Sequence, residues 1–314
     1  MVGGDIVMAI TLQESLRGLF YAPFYVALAR DAYAAEGVEV RFASSPRPGD
    51  AARNVMDGTV DVCWGGPMRV MQAYQEISGC DLVSFAEVVT RDPFLLVGRE
   101  PHPDFALGDL ARVRVATVSE VPTPWMCLQE DLRRAGVDPV RLTRVADRTM
   151  AENVVALRRG ELDVVQVFEP FAAMLLDEGV GHMWYAQASR GPTSYTTFYA
   201  RRGLLRERRE ELHRMVRAIY RTQKWITSVD GAAIAAAIAR YFEDVPPVVL
   251  ADACARYKSL GIWGSDPRLP RVGYERLLAS LVSGGFVSPG TAYDVAVDNS
   301  LADAVVAENP PPLS

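Results

Sequence analysis

Residues 38–42 alternate apolar Val38, Val40 and Phe42 with Glu39 and Arg41, the clearest half-buried strand signal in the first third of the chain. On either side the pattern switches between short β-rich runs and helical spacing. Residues 6–12 form a β-rich run, residues 21–33 carry apolar positions at helical spacing, and Gly37 closes that helix. Pro46, Pro48 and Gly49 mark a loop, and Asp50 is placed to cap a helix through Met56. A third strand is predicted over 60–64, a turn at Gly65-Gly66-Pro67, a helix over 68–76 and a fourth strand over 82–89. Strands and helices in alternation predict a parallel sheet with right-handed crossovers. In such sheets ligands bind beyond the carboxyl ends of the strands, which singles out the loops 13–20, 44–50 and 64–67.

The same architecture starts again near Asp109. Strands are predicted over 113–118, 142–145 and 163–168, with helices over 125–135 and 150–159 and one running from Pro170 through Leu176. Residues 180–202 are strand-like and rich in aromatics. From there the pattern is helical, over 206–229, 231–242, 247–260 and 274–283, and the Pro310-Pro311-Pro312 tail reads as disordered.

A chain of 314 residues exceeds what one hydrophobic core normally serves, so two domains are expected. A net charge of -6 argues against a nucleic-acid partner. The densest basic run, Arg206, Arg208 and Arg209, is neutralised by Glu207, Glu210 and Glu211 and reads as a solvated helix face. Cys63, Cys80, Cys127 and Cys254 are widely spaced with no Cys-x-x-Cys pair, and His102, His182 and His213 are far apart, so neither a metal site nor a cofactor is expected. No apolar stretch reaches the ~20 residues that span a bilayer. The opening Met1-Val2-Gly3-Gly4-Asp5 lacks the marks of a secretory signal. Two expectations follow: a cytoplasmic protein if Met1 is the native start, an extracytoplasmic one if a signal has been removed.

Three segments carry a family likeness. They are Tyr21-Ala22-Pro23-Phe24-Tyr25-Val26-Ala27 with 33–40, then 49–67 with its Asp57-Gly58-Thr59-Val60-Asp61-Val62 and Gly-Gly-Pro turn, then 157–171 with Arg-Arg-Gly-Glu-Leu-Asp and Phe168-Glu169-Pro170-Phe171. In this order the chain resembles the substrate-binding proteins of ABC importers for sulfonates, nitrate and thiamine pyrimidine precursors, and their pyrimidine-synthase-like relatives. The likeness spans about 5–300. It implies an α/β fold of two Rossmann-like lobes, the periplasmic-binding-protein type II fold. Lobe 1 would comprise 1–92 and 197–314, with the C-terminal helices packed on it, and lobe 2 would comprise 93–196. Crossings would fall near 90–94 and 194–198, and closure about them on a ligand would be the working motion. The implied partners are a small molecule and an ABC permease, with the protein a monomer.

Candidate ligand-binding residues follow from the loops. Gly65 and Gly66 let backbone approach a ligand, Pro67 suits a first helical position, and the free amides of that helix end attract an anion or carbonyl oxygen; the turn also reads as a plain strand-to-helix connection. Trp64 precedes it. In the facing turn, Ser119 and Thr123 offer hydroxyls and Trp125 a stacking face, though Trp125 also reads as a core anchor. Glu169 either accepts hydrogen bonds from ligand amino groups or caps the next helix. Gln13, Glu14 and Arg17 follow the first strand, and Arg17 is suited to a bidentate anion. Tyr21 and Phe24 are candidate pocket walls, with Tyr195, Arg47 and Arg91 weaker ones. The aromatic residues suggest a flat organic ligand, aromatic or heterocyclic, a sulfonate or pyrimidine-like.

Relatives that make the thiamine pyrimidine use a histidine and a cysteine-rich motif, and others cleave a carbon–sulfur bond with a cysteine after the first strand. Neither set is present: no histidine precedes His102 and residues 13–23 hold no cysteine. Cys63 is the one thiol near the expected cleft. These residues favour a binder over the alternative, a cytoplasmic enzyme or sensor on the same fold.

Overall fold

The computed structural model describes residues 9–314. Residues 6–8 of the first predicted strand lie outside the described residues. The chain builds two five-stranded sheets. In the first, β1 (Ile10–Glu14), β2 (Val40–Ser44) and β3 (Val62–Gly65) run parallel, in the order β2-β1-β3. The expected all-parallel sheet is corrected at its other side. There β10 (Thr196–Arg201) returns from far along the chain and pairs antiparallel with both β3 and β4 (Leu82–Val89). The connections carry α1 (Ala22–Ala29), α2 (Ala32–Ala35), α3 (Ala51–Met56) and α4 (Met68–Glu76).

The second sheet has the order β7-β6-β8-β5-β9. Here β6 (Arg114–Ala116), β7 (Thr143–Val145) and β8 (Val164–Val167) are parallel, while β5 (Leu95–Gly98) is antiparallel to β8 and to β9 (His182–Ala186). Its helices are α5 (Thr123–Arg134), α6 (Met150–Arg158) and α7 (Phe171–Asp177). α6 opens on a capping box in which Thr149 and Glu152 satisfy each other's backbone amides. The chain therefore crosses between the sheets twice, from Val89 to Leu95 and back from Ala186 to Thr196.

The helices after β10 are α8 (Arg202–Glu207), α9 (Arg209–Ser228), α10 (Gly231–Ile238), α11 (Pro247–Ser259), α12 (Arg271–Ser283), α13 (Tyr293–Ala296) and α14 (Ser300–Glu308). The single helix expected over 206–229 is divided at Arg208, whose φ of -117° and ψ of 35° leave the helical region. α9, α10 and α14 pack on α1, α2 and β4, as expected of a helical part resting on the first half. α11 and α12 go further: α11 also touches α7, and α12 touches α5, so both reach the second half. The tail is not disordered. Leu313 is buried and its N–H donates to Arg221 O, while Lys224 holds the side chain of Asn309 and the carbonyl of Pro310.

Trp64 anchors the first core. It is fully buried and stacks with Phe24 of α1 (4.6 Å between ring centroids, 6° between planes) and with Phe42 of β2 (5.2 Å, 14°). A smaller second core gathers Leu96, Val115, Trp125, Leu128, Leu132 and Val164. Trp64→Ala is expected to destabilise the chain by about 3–5 kcal/mol, read as a lowered midpoint in urea denaturation.

Candidate functional site

Between the sheets lies a small cavity of about 40 Å³. Its wall comes from both halves and both crossings. The loop after β1 supplies Ser15, Leu16, Phe20 and Tyr21, the β2–α3 loop Pro48, and the β3–α4 turn Gly66, Met68 and Arg69. The crossings contribute Phe94 and Tyr195, and the second half Val121, Thr123 and Phe168. Four rings close on one another. Phe20 meets Phe168 edge-on at 5.3 Å across the gap, Phe168 meets Phe94 at 5.4 Å, and Tyr195 lies 6.2 Å from Phe94 and 6.3 Å from Phe20. Such edge-to-face pairs add about 0.5–1.5 kcal/mol each beyond the area they bury. Ser15 Oγ and Tyr21 OH share a hydrogen bond of 3.1 Å beside them.

Of the residues singled out from the sequence, Tyr21, Gly66, Thr123 and Tyr195 line this cavity. Gly65 and Pro67 flank Gly66, and Gly65 packs closely: a Cβ there would lie 3.3 Å from both Ser15 Oγ and the Tyr199 ring. The others sit elsewhere. Gln13 is buried in β1, accepting from Asn54 Nδ2 at 3.1 Å. Arg17 Nη2 lies 2.8 Å from Glu14 Oε1, Arg17 Nη1 donates to Tyr241 O, and the guanidinium covers the Tyr25 ring at 5.3 Å. Trp64 and Trp125 are core residues, Trp125 with the Arg144 guanidinium 4.0 Å over its ring. Ser119 is exposed and hydrogen-bonds Glu120. Glu169 is fully buried, accepts from Ala173 N at 2.8 Å inside the first turn of α7, and pairs with Arg256 of α11, so its carboxylate serves a helix start and an ion pair rather than the cavity wall.

Sequence reasoning passed over Arg69. Its Nη1 donates to Gln72 Oε1 at 3.0 Å, and among the described residues no carboxylate lies within 4.0 Å of it. Burial pulls its pKa below the usual arginine value, against weaker opposing contributions from Tyr199, Tyr21 and Glu76. A signal was present. A cation in the first turn of a helix opposes the macrodipole, and α4 begins at Met68.

Behind the cavity the crossings are fixed by a buried polar network. Asp92 accepts from Phe94 N (3.0 Å) and from Gln187 Nε2 (2.9 Å), and Gln166 Nε2 donates to Gln187 Oε1. Arg190 lies 3.2 Å from Asp131 of α5 and donates to Ser280 Oγ of α12 at 2.7 Å. Burial raises the Asp92 carboxyl to about 7 despite Arg190. It raises Glu87 of β4, which faces Ser194 and Asp266, to about 8.

The folded chain thus holds the Glu87 proton more tightly than the unfolded chain, whose ordinary value is 4.5. The contribution to stability is full below about pH 4.5 and is lost as pH rises through about 8. Glu87→Gln should flatten the decline of stability between pH 5 and pH 8, by on the order of a kcal/mol or more in paired denaturation curves. The thiols give a second test. Cys63, Cys127 and Cys254 are buried, burial pushing Cys63 and Cys254 up to about 12, whereas Cys80 is half-buried. A thiol reagent should label Cys80 alone in the native protein and all four after unfolding.

Comparison with known proteins places this geometry. Residues 96–240 match the model of the NMT1-like family. YtlA of Bacillus subtilis (strain 168), a candidate binding protein, is 25% identical over 308 residues, covering 97% of this chain and 92% of YtlA. The periplasmic aliphatic sulphonate binding protein SsuA of Escherichia coli superposes with a TM-score of 0.74 at 15% identity, over 90% of this chain and 94% of that one. The desulfurization enzyme DSZB gives 0.67 at 14% identity, over 96% and 100%. The chain thus has the periplasmic-binding-protein type II fold along its length and matches the NMT1-like family over residues 96–240.

Proposed function

We propose that the protein captures a small organic molecule between two lobes, 1–92 with 197–314 and 93–196, as the substrate-binding component of an ABC importer. The observation that carries this reading is a cavity whose wall is drawn from both sheets and both crossing segments, the arrangement in which hinge motion couples directly to ligand contact. About 40 Å³ admits water, whereas organic ligands fill pockets of about 300–1,000 Å³. The lobes therefore part to admit a ligand and close on it. E. coli SsuA carries a sulphonate-binding name and YtlA that of a binding protein, and both support capture. The DSZB likeness shows that the fold also hosts an enzyme. The wall of this cavity holds no cysteine, histidine or carboxylate among the described residues, which favours capture over conversion. On this reading the protein works outside the cytoplasmic membrane, beside its permease.

Arg69 and the ring of Phe20, Phe94, Phe168 and Tyr195 point to an organic anion with a flat apolar body, a sulfonate or an aromatic carboxylate. Thermal unfolding against sulfonates, aromatic acids, nitrate and pyrimidines tests this. A ligand at a hundred times its dissociation constant adds about 2.7 kcal/mol and raises the midpoint. Mass spectrometry should recover it unchanged; a converted ligand overturns the reading. Arg69→Gln should weaken the anion about tenfold to a hundredfold while sparing neutral ligands.

A further inference from the structure

Three contacts join helix α11, which lies outside the cavity, to the backbone behind two of the cavity's rings. Arg256 forms an ion pair with Glu169, the residue after Phe168. The Tyr257 hydroxyl accepts from Glu169 N at 2.8 Å and donates to Pro93 O at 3.0 Å, and Pro93 precedes Phe94. One phenol thus clamps the chain at Phe168 and at Phe94, and both rings line the cavity.

Glu169 and Tyr257 are fully buried, and α11 packs chiefly on α10, which rests on α1 of the first half. A helix rooted in one half therefore grips the other half immediately behind its cavity wall.

We infer that α11 is the latch of the cleft, with Arg256 and Tyr257 acting as positioning residues that hold Phe168 against Phe20 and must release Glu169 before the cleft opens. This rests on the capture reading, since only a cleft that opens and closes needs a latch. The energetics are those of a switch. A buried carboxylate that loses the cation paired with it is strongly disfavoured, so the contact has a made state and a broken state with little between them. Breaking it must coincide with separation of Phe20 from Phe168, because Phe168 and Glu169 are consecutive residues. The ion pair and the ring contact then open and close together.

Small-angle X-ray scattering of the ligand-free full chain, with Arg256→Gln and Tyr257→Phe, tests the latch. Arg256 is part-exposed and its replacement should fold; Tyr257→Phe keeps the ring and removes only the hydroxyl, which guards against misfolding of the first variant. Both variants should unfold cooperatively and show a larger radius of gyration than wild type. Release of a bound organic anion from the ligand panel, followed by stopped flow, should quicken about tenfold in each. A folded variant whose radius of gyration and release rate equal those of wild type overturns the role of its residue; loss of stability without opening in both variants overturns the latch. Failure of the capture reading looks different. Wild type would then bind nothing on the panel, while the scattering comparison would still report whether α11 holds the halves together.

Discussion

β10 comes back across the gap between the sheets and takes a place between β3 and β4, antiparallel to each. Because its predecessor β9 belongs to the second sheet, the chain has to cross the gap a second time, directly beside the first crossing: Thr193 N donates to Thr90 O at 2.8 Å and Tyr195 N to Val89 O at 2.9 Å. Two adjacent crossings join the sheets, and the cavity lies against them: Phe94 and Tyr195 belong to the crossings, while Phe20 and Phe168 face each other from either half.

The cost of this arrangement is buried polarity. The crossings bond to each other through Thr193 N to Thr90 O, Tyr195 N to Val89 O and Gln187 N to Phe94 O, and the polar side chains between these contacts are buried with them. Asp92, Gln187 and Gln166 meet that demand on one side, and Arg190 with Asp131 and Ser280 on the other. Since α12 supplies Ser280, the C-terminal helices brace the crossings as well as covering the first sheet. The chain end packs as well, Leu313 tucked against α9 instead of trailing in solvent.

Local signals carried much of the fold. Helix 68–76 and strand 82–89 are bounded in the sequence by Gly-Gly-Pro and by a continuous apolar run, and the structure has the same limits. β5 escaped because Leu95-Leu96-Val97-Gly98 is too short to show a period, and the direction of β10 escaped because nothing in 180–202 encodes which strands flank it. At the site, Tyr21, Gly66, Thr123 and Tyr195 were legible from strand ends and the expected crossings. Trp64 and Trp125 were not, since an indole suits a ligand face and a core equally, and the decision lies with distant partners such as Phe24, Phe42 and Arg144. Phe20 and Phe168 look like core residues until the two halves are brought together.

If the protein captures a ligand as proposed, the contact between Phe20 and Phe168 also bears on which ligands it admits. The two halves already satisfy each other, so an incoming molecule competes with the protein's own aromatic wall for the same surface. Affinity measured in solution is the intrinsic affinity multiplied by the fraction of molecules standing open. A guest too slight to replace the Phe20 and Phe168 contacts on both sides leaves the self-association the better bargain, and is turned away without any group arranged to repel it. On the capture reading, selectivity for size would in this way be built into the unliganded state.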